Sequence, residues 1–414
     1  MDLHIIEDKI SEYSPFVKEV VVCIHDGSPF AIMHPDFQAL KKANIINIEE
    51  ELRWYAVELY NMEVSEEEKV RGYMISKEPL PKTESQELDI SAINELINNG
   101  KITKSEDDVI EPDDEVYRTL KSYISNFSES KISPLSHLEL DLGLDSLDYV
   151  ELFAFIDESF GVYVDEIIFS HIMKMQDLYE YVKEHKKYLT PTDIKWKNIL
   201  DEKTDEKLTY SPYIMMAYQI ILYPLFKLYF RLGVKGKENI PSTPCIFAPS
   251  HQSMLDGFII EASLPYSVIK RTFFLAFELV FGTSLMRPVA HYGQSILIDA
   301  NNHLKLSMQR TAQPLKEGNN VVIFPEGART RDGKLLEFRP FFAMLSKVYN
   351  LPVVPIVVDG SFEALPTGKI FPRPKKVKLT FLEPIYPDGL STNEITRRTK
   401  EAIAHEMKAN PIIR

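Results

Sequence analysis

Val321, Val322, Ile323 and Phe324 form an unbroken apolar run that stops at Pro325, Glu326 and Gly327. A run this short, rich in β-branched residues and closed by Pro and Gly, reads as a buried strand. Strands buried on both faces need helices on either side to cover them. Two further runs, Cys245 to Ala248 and Val353 to Val358, read the same way, and helix-like patterns lie between them. This part of the chain therefore predicts an α/β domain with polar groups gathered where the strands end.

His251 and Asp256 stand five apart just beyond the first of these strands. Where the chain turns, a carboxylate at that spacing can orient the imidazole as a general base toward a hydroxyl. The string Phe324-Pro325-Glu326-Gly327-Ala328-Arg329-Thr330 adds an acid, a glycine free to turn and a guanidinium. Together with the apolar segment Leu351 to Gly360, which contains Pro355, these strings resemble the glycerolipid acyltransferase family.

The resemblance covers roughly residues 210 to 390 and implies an α/β acyltransferase domain over 210–400. It further implies acyl transfer from a thioester donor, acyl carrier or acyl-CoA, to a lysophospholipid hydroxyl. His251 would be the base and Asp256 its orienter, while Glu326, Gly327, Arg329 and Pro355 would shape the acceptor site. The foremost acceptor is 1-acylglycerol-3-phosphate. One block departs from the pattern: Gly293 to Asp299 is followed by Ala300, where the family carries an arginine for the acceptor's phosphate. Arg329, Lys270 or Arg271 are the candidate replacements, because a guanidinium suits bidentate phosphate binding. Another lysophospholipid or an amino-lipid is the alternative acceptor, and a non-catalytic carrier and scaffold partner of a separate fatty-acid ligase is the rival class.

Upstream, Leu140, Gly143, Leu144, Asp145 and Ser146 lead into a helical pattern of Leu147, Val150, Leu152, Phe153 and Ile156. Tyr117, Leu120, Tyr123 and Ile124 mark another helix before it. The string resembles the attachment motif of an acyl carrier protein, an all-α helical bundle over residues 110–188. The resemblance implies that Ser146 carries a covalent 4'-phosphopantetheine. A helix N-terminus offers free N–H groups and a positive dipole to the arm's phosphodiester, and acids such as Asp148 and Glu151 would address basic partners. The plain alternative is that Ser146 is only a helix cap.

Residues 1–95 join a helix-like start at Ile10 to a strand through Val20 to Ile24, and Ile48 to Tyr60 is amphipathic over about three turns. The segment resembles the small α+β C-terminal subdomain of adenylate-forming (AMP-forming) ligases. That family ends it in a pattern whose last lysine stabilises charge during adenylate formation, but here Pro81, Lys82 and Thr83 lead to Gln86 and Glu87. A carboxylate opposite phosphate repels it. The expected role is that of a docking or structural remnant, with two readings open: a separate fatty-acid ligase subunit supplies the large portion, or the start lies upstream of Met1. The fold class is thus multidomain α/β, with linkers over 97–114 and 187–212.

Charge follows the same division. Residues 1–190 carry 18 basic against 40 acidic side chains, and residues 191–414 carry 29 against 21. A basic catalytic half beside an acidic carrier favours their encounter and an anionic membrane surface. Tyr213 to Phe230 is the most apolar long stretch, interrupted by Gln219, Pro224 and Lys227. It predicts a helix lying in the headgroup region, with Lys375, Lys376, Lys378, Arg397, Arg398 and Lys400 adding attraction. Cys23 and Cys245 have no metal-ligand or disulfide spacing, so no metal is expected. The start lacks the basic and apolar regions of a signal peptide. The expected location is cytoplasmic, peripheral on the inner face of the cell membrane, with no nucleic-acid partner.

Overall fold

The computed structural model describes residues 3–25, 27–65, 68–83, 88–89, 92–93, 110–128, 130–192, 194–202, 208–277, 281, 286–298, 304–330, 333–366 and 371–409. Gln86, Glu87, most of the 97–114 linker and Ala300 lie outside the described residues. Two compact units emerge, one of Met1–Lys195 with Ala300–Leu304, the other of Trp196–Asp299 with Lys305–Arg414.

The first unit opens with α1 (Leu3–Tyr13), which buries Ile6 and Ile10. Strand β1 (Val17–His25) pairs antiparallel with β2 (Ser28–Pro35), and β2 pairs parallel with β3 (Gly72–Ile75). Strand periodicity sends alternate side chains to opposite faces. Val22, Ala31 and Met33 accordingly join one core, and Val21 and Ile32 join another with Leu80 and Ile93. After α2 (Phe37–Lys42), the amphipathic stretch expected as one helix divides into α3 (Ile48–Leu52), a π-helical segment Arg53–Glu58 and a last turn Leu59–Glu63. A wider turn brings residues five apart onto one face, and Leu52 and Val57 are both in the core it serves.

Still in this unit, α4 (Glu115–Ile124), α5 (Ser146–Phe160), α6 (Glu166–Phe169) and α7 (Met175–His185) pack as the helical module expected there. Helix α5 begins at Ser146, but the cap is Asp145: its side chain accepts the N–H groups of Leu147 and Asp148, and the Asp148 carboxylate accepts the Asp145 N–H. This reciprocal arrangement satisfies donors that a helix start leaves open. The Ser146 side chain is therefore not the cap. Tyr123 stacks on Phe155 at 3.6 Å between ring centroids, fixing α4 against α5.

The second unit is built on a seven-stranded sheet among the described residues. Its strands are β4 (Gly233–Lys235), β5 (Ile246–Pro249), β6 (Thr272–Phe277), β7 (Ser295–Ile298), β8 (Asn320–Val322), β9 (Val353–Asp359) and β10 (Lys378–Phe381), in the order β4-β10-β9-β5-β8-β6-β7. Every neighbouring pair is parallel except β9 with β10. The three expected strands are present. The middle one is shorter, because Ile323 still donates to Phe247 O while Phe324 leaves the sheet. Helices α8 (Pro212–Tyr229) and α9 (Leu255–Ser263) pack together on this unit, and α10 (Phe341–Tyr349) buries Phe342, Ala343, Met344 and Leu345. Among the described residues of the 187–212 stretch lies a short helix, Trp196–Asp201, because Ile199 and Leu200 find burial. No described helix is long and apolar enough to cross a membrane.

Asn320 ties three of these strands. Its Oδ1 accepts the Cys245 N–H at 3.1 Å, its Nδ2 donates to Thr272 Oγ1 at 3.1 Å, and it is 1% exposed. Asn320→Leu should cost the second unit about 1–3 kcal/mol by orphaning a buried N–H. A urea transition whose midpoint does not move would contradict this.

Candidate active site

Strands β5 and β8 run side by side in the same direction, so the loops that leave them emerge at one edge of the sheet. The first loop carries His251 and the second carries Glu326. His251 Nδ1 lies 3.2 Å from Asp256 Oδ2, and the same oxygen accepts the N–H groups of Gln252 at 2.6 Å and Ser253 at 2.7 Å. Because the carboxylate can only accept, Nδ1 carries the proton and Nε2 presents a lone pair. Asp256 is fully buried, whereas His251 keeps 20% of its side chain exposed. A fixed carboxylate behind an accessible imidazole is the arrangement of a general base. Burial pulls the His251 pKa below its ordinary value, Asp256 opposes this, and the Arg329 charge adds to the fall. The imidazole is therefore neutral, and ready to take a proton, at neutral pH.

Glu326 holds the two loops together. Its Oε1 accepts the His251 N–H at 2.7 Å and its Oε2 accepts the Leu336 N–H at 2.8 Å. Burial raises its pKa to about 7, against the pull of those two N–H groups. The loops are pinned a second time where Thr330 donates to His251 O at 2.9 Å. Gly327 has φ +65, so the turn after Glu326 suits glycine in conformation, while the space beside it leaves room for a Cβ in ordinary contact with Arg339. Phe324, having left the sheet, lays its ring 4.0 Å from that of His251.

His251, Asp256, Glu326, Gly327 and Arg329 thus come together at one edge. Pro355 does not stand beside them as a surface group, because it is buried within β9 opposite Ala248. Lys270 and Arg271 are corrected outright. They precede β6, which runs parallel to β8, and so lie at the opposite edge from His251, where Arg271 donates to Ser242 O. Of the three candidate phosphate partners, Arg329 alone is at the site. Phe324, Gln252 and Ser253 were missed from sequence; the aromatic before Pro325 was the available signal for the first. Among the described residues no cluster of His, Cys, Asp and Glu could hold a metal. In the first unit, Ser146 is half-buried at the first position of α5.

Residues 231–359, which hold every one of these loops, match the model of the family described as Acyltransferase. The second unit carries an acyltransferase domain. The chain is 30% identical over 152 residues to a chloroplastic 1-acyl-sn-glycerol-3-phosphate acyltransferase of Brassica napus, covering 36% of this chain and 42% of that one. It is 33% identical over 132 residues to a 1-acyl-sn-glycerol-3-phosphate acyltransferase of Pseudomonas aeruginosa, covering 30% and 48%. A solved structure of the 1-acyl-sn-glycerophosphate acyltransferase of Thermotoga maritima is similar at 26% identity, with TM-score 0.42, over 48% of this chain and 81% of that one. The chain spans about half the length of the curated relatives it matches.

In the acyltransferase domain, the His251 pKa should be found below 6.5 by imidazole NMR titration. Asp256→Asn removes the group that holds it up, so the titration should move lower still. A shift upward would contradict the dyad.

Proposed function

We propose that this protein transfers a fatty acyl group from a thioester donor to the free hydroxyl of a lysophospholipid, with 1-acylglycerol-3-phosphate as the foremost acceptor. The observation that carries the reading is the His251–Asp256 dyad, open to solvent on the imidazole side and fixed on the other. The acceptor hydroxyl gives its proton to His251 Nε2 as its oxygen attacks the thioester carbon. Collapse of the tetrahedral oxyanion expels the thiolate, which takes the proton back from the imidazolium. The ester forms with no acyl-enzyme. Arg329, whose charge helps depress the His251 pKa, is the candidate cation for the acceptor's phosphate.

Two features support a lipid surface as the place of work. Helix α8 exposes Tyr213, Met216, Ile220, Leu225 and Leu228 along one face, at the spacing of an interfacial helix. At its end Tyr229 donates to Pro372 O at 2.8 Å, which brings exposed Phe371, Arg373, Lys375 and Lys376 beside it. Apolar side chains flanked by cations suit anionic headgroups.

The donor side of the proposal rests on the first unit. Ser146 leaves its hydroxyl out of the helix cap and stands at the positive end of a 15-residue helix, which suits a phosphodiester. In this reading residues 110–188 are an acyl carrier, and 4'-phosphopantetheine on Ser146 would supply the thiol that holds the acyl group. The departure at Ala300 keeps a second reading, an acceptor without a terminal phosphomonoester, on the same chemistry.

His251→Ala should lower turnover about 10²–10⁴-fold or more with the fold retained. The assay is mass spectrometry of lipids formed from acyl-CoA with a panel of lysophospholipids, and wild-type turnover in the variant would exclude this base. A phosphopantetheinyl transferase supplied with coenzyme A should add one arm to the intact chain, and Ser146→Ala should prevent it. An unmodified wild type alongside a modified control carrier would exclude the carrier.

A further inference from the structure

The N-terminal segment and the helical module fold as one unit, and several of the contacts between them fall on one short loop. Glu139 lies on the chain that leads to Ser146, and its carboxylate reaches the start of α3. Oε2 accepts the Ile48 N–H at 2.9 Å and Oε1 accepts the Glu49 N–H at 2.8 Å. The residue before α3, Asn47, makes no side-chain cap of its own. Glu139 therefore satisfies donors that the N-terminal segment leaves open, as a cap normally supplied by a local residue would.

Two residues on, Asp141 Oδ2 is 2.6 Å from Lys77 Nζ and also accepts the His137 N–H at 2.7 Å. The same carboxylate thus shapes its own loop and holds a lysine from just beyond β3. His137 is 6% exposed and its ring lies 5.8 Å from that of Phe37 at the head of α2. Its Nδ1 accepts the Leu140 N–H at 3.3 Å. Burial lowers its pKa to about 4, so it enters the contact uncharged. Behind this loop, Met173 of the helical module is counted in the core of the N-terminal segment, and Ser170 Oγ is within 3.4 Å of Asn44 Oδ1.

The α3 N–H groups, Lys77 and Phe37 of the N-terminal segment all meet the stretch His137 to Asp141. Ser146, five residues further, takes no part in these contacts and remains half-buried. We propose that residues 1–95 are a docking platform for the carrier module, gripping the loop that leads into Ser146 while leaving the serine open to the enzymes that load and unload it. The proposal rests on reading residues 110–188 as a carrier. It replaces the ligase subdomain's part in adenylation with recognition, and Glu139 is its main positioning residue.

The test uses the full chain and two readouts. In hydrogen exchange followed by mass spectrometry, Glu139→Ala should speed exchange at Ile48, Glu49 and His137 to Asp141 by about tenfold or more, with α5 protection unchanged. Lys77→Glu, which would face Asp141 with a like charge, should act in the same direction and serves if Glu139→Ala unfolds the module. Unchanged exchange in both variants would overturn the platform. The second readout is the rate at which a phosphopantetheinyl transferase modifies the chain. Glu139→Ala should match the wild type within about twofold, since Ser146 lies outside the grip; a change of about tenfold would place the serine inside the contact and overturn the proposal. If neither wild type nor variant is modified, the carrier reading has failed, and the exchange data still decide whether the two segments dock.

Discussion

One oxygen atom organises the acyltransferase domain's chemistry. Asp256 Oδ2 accepts from the His251 ring and from the N–H groups of Gln252 and Ser253, while Asp256 itself is buried without exposure. A buried carboxylate is costly unless it is hydrogen-bonded, and here the donors are the backbone of the turn that precedes α9. Forming the turn and orienting the imidazole are the same event. Its Oδ1 has no protein partner among the described residues, so the hydrogen bonds to the Asp256 carboxylate fall on the oxygen that faces the His251 ring. This is why the dyad belongs to the fold itself and does not wait for a ligand to assemble it.

The second constraint is topological. In open α/β sheets, ligands gather outside the carboxyl ends of parallel strands, and β5 beside β8 puts the His251 and Glu326 loops at that edge. Glu326 then acts across the gap between the loops through backbone N–H groups, which are available whatever the neighbouring side chains are. The same geometry removes Lys270 and Arg271 from the site, a distinction that proximity in sequence to the strands cannot draw.

What could be read from sequence was local. The spacing of His251 and Asp256, the Phe324 to Thr330 string and the helix starting at Ser146 all depend on residues within one turn or loop of each other, and the structure places them as expected. The division of Ile48 to Glu63 by a π-helical segment was not legible, because the pattern of Leu52, Val57 and Tyr60 fits an ordinary helix nearly as well. Nor was the pairing of Glu139 with α3, since 91 residues separate the carboxylate from the Ile48 N–H it meets. Pro355 shows the limit from the other side: a residue of a recognisable motif proves to be a buried strand position whose carbonyl accepts from Leu382. The departures at Glu87 and Ala300 fall outside the described residues and keep only their sequence argument.

Helix α8 has a consequence of a mechanical kind. Gln219, on the helix that exposes the apolar face, sends its side-chain amide to the carbonyls of Glu261 and Leu264 at the C-terminal end of α9. Asp256 sits in the first turn of that same helix. Nine residues of α-helix make a rod about 13 Å long, with the exposed helix clamped to one end and the Asp256 carboxylate built into the other. Such a rod transmits push and tilt with little give, so the orientation of the dyad is referenced to α8 as a tool is referenced to its handle. A tilt of α8 would therefore be carried along α9 to the turn that holds the His251 ring.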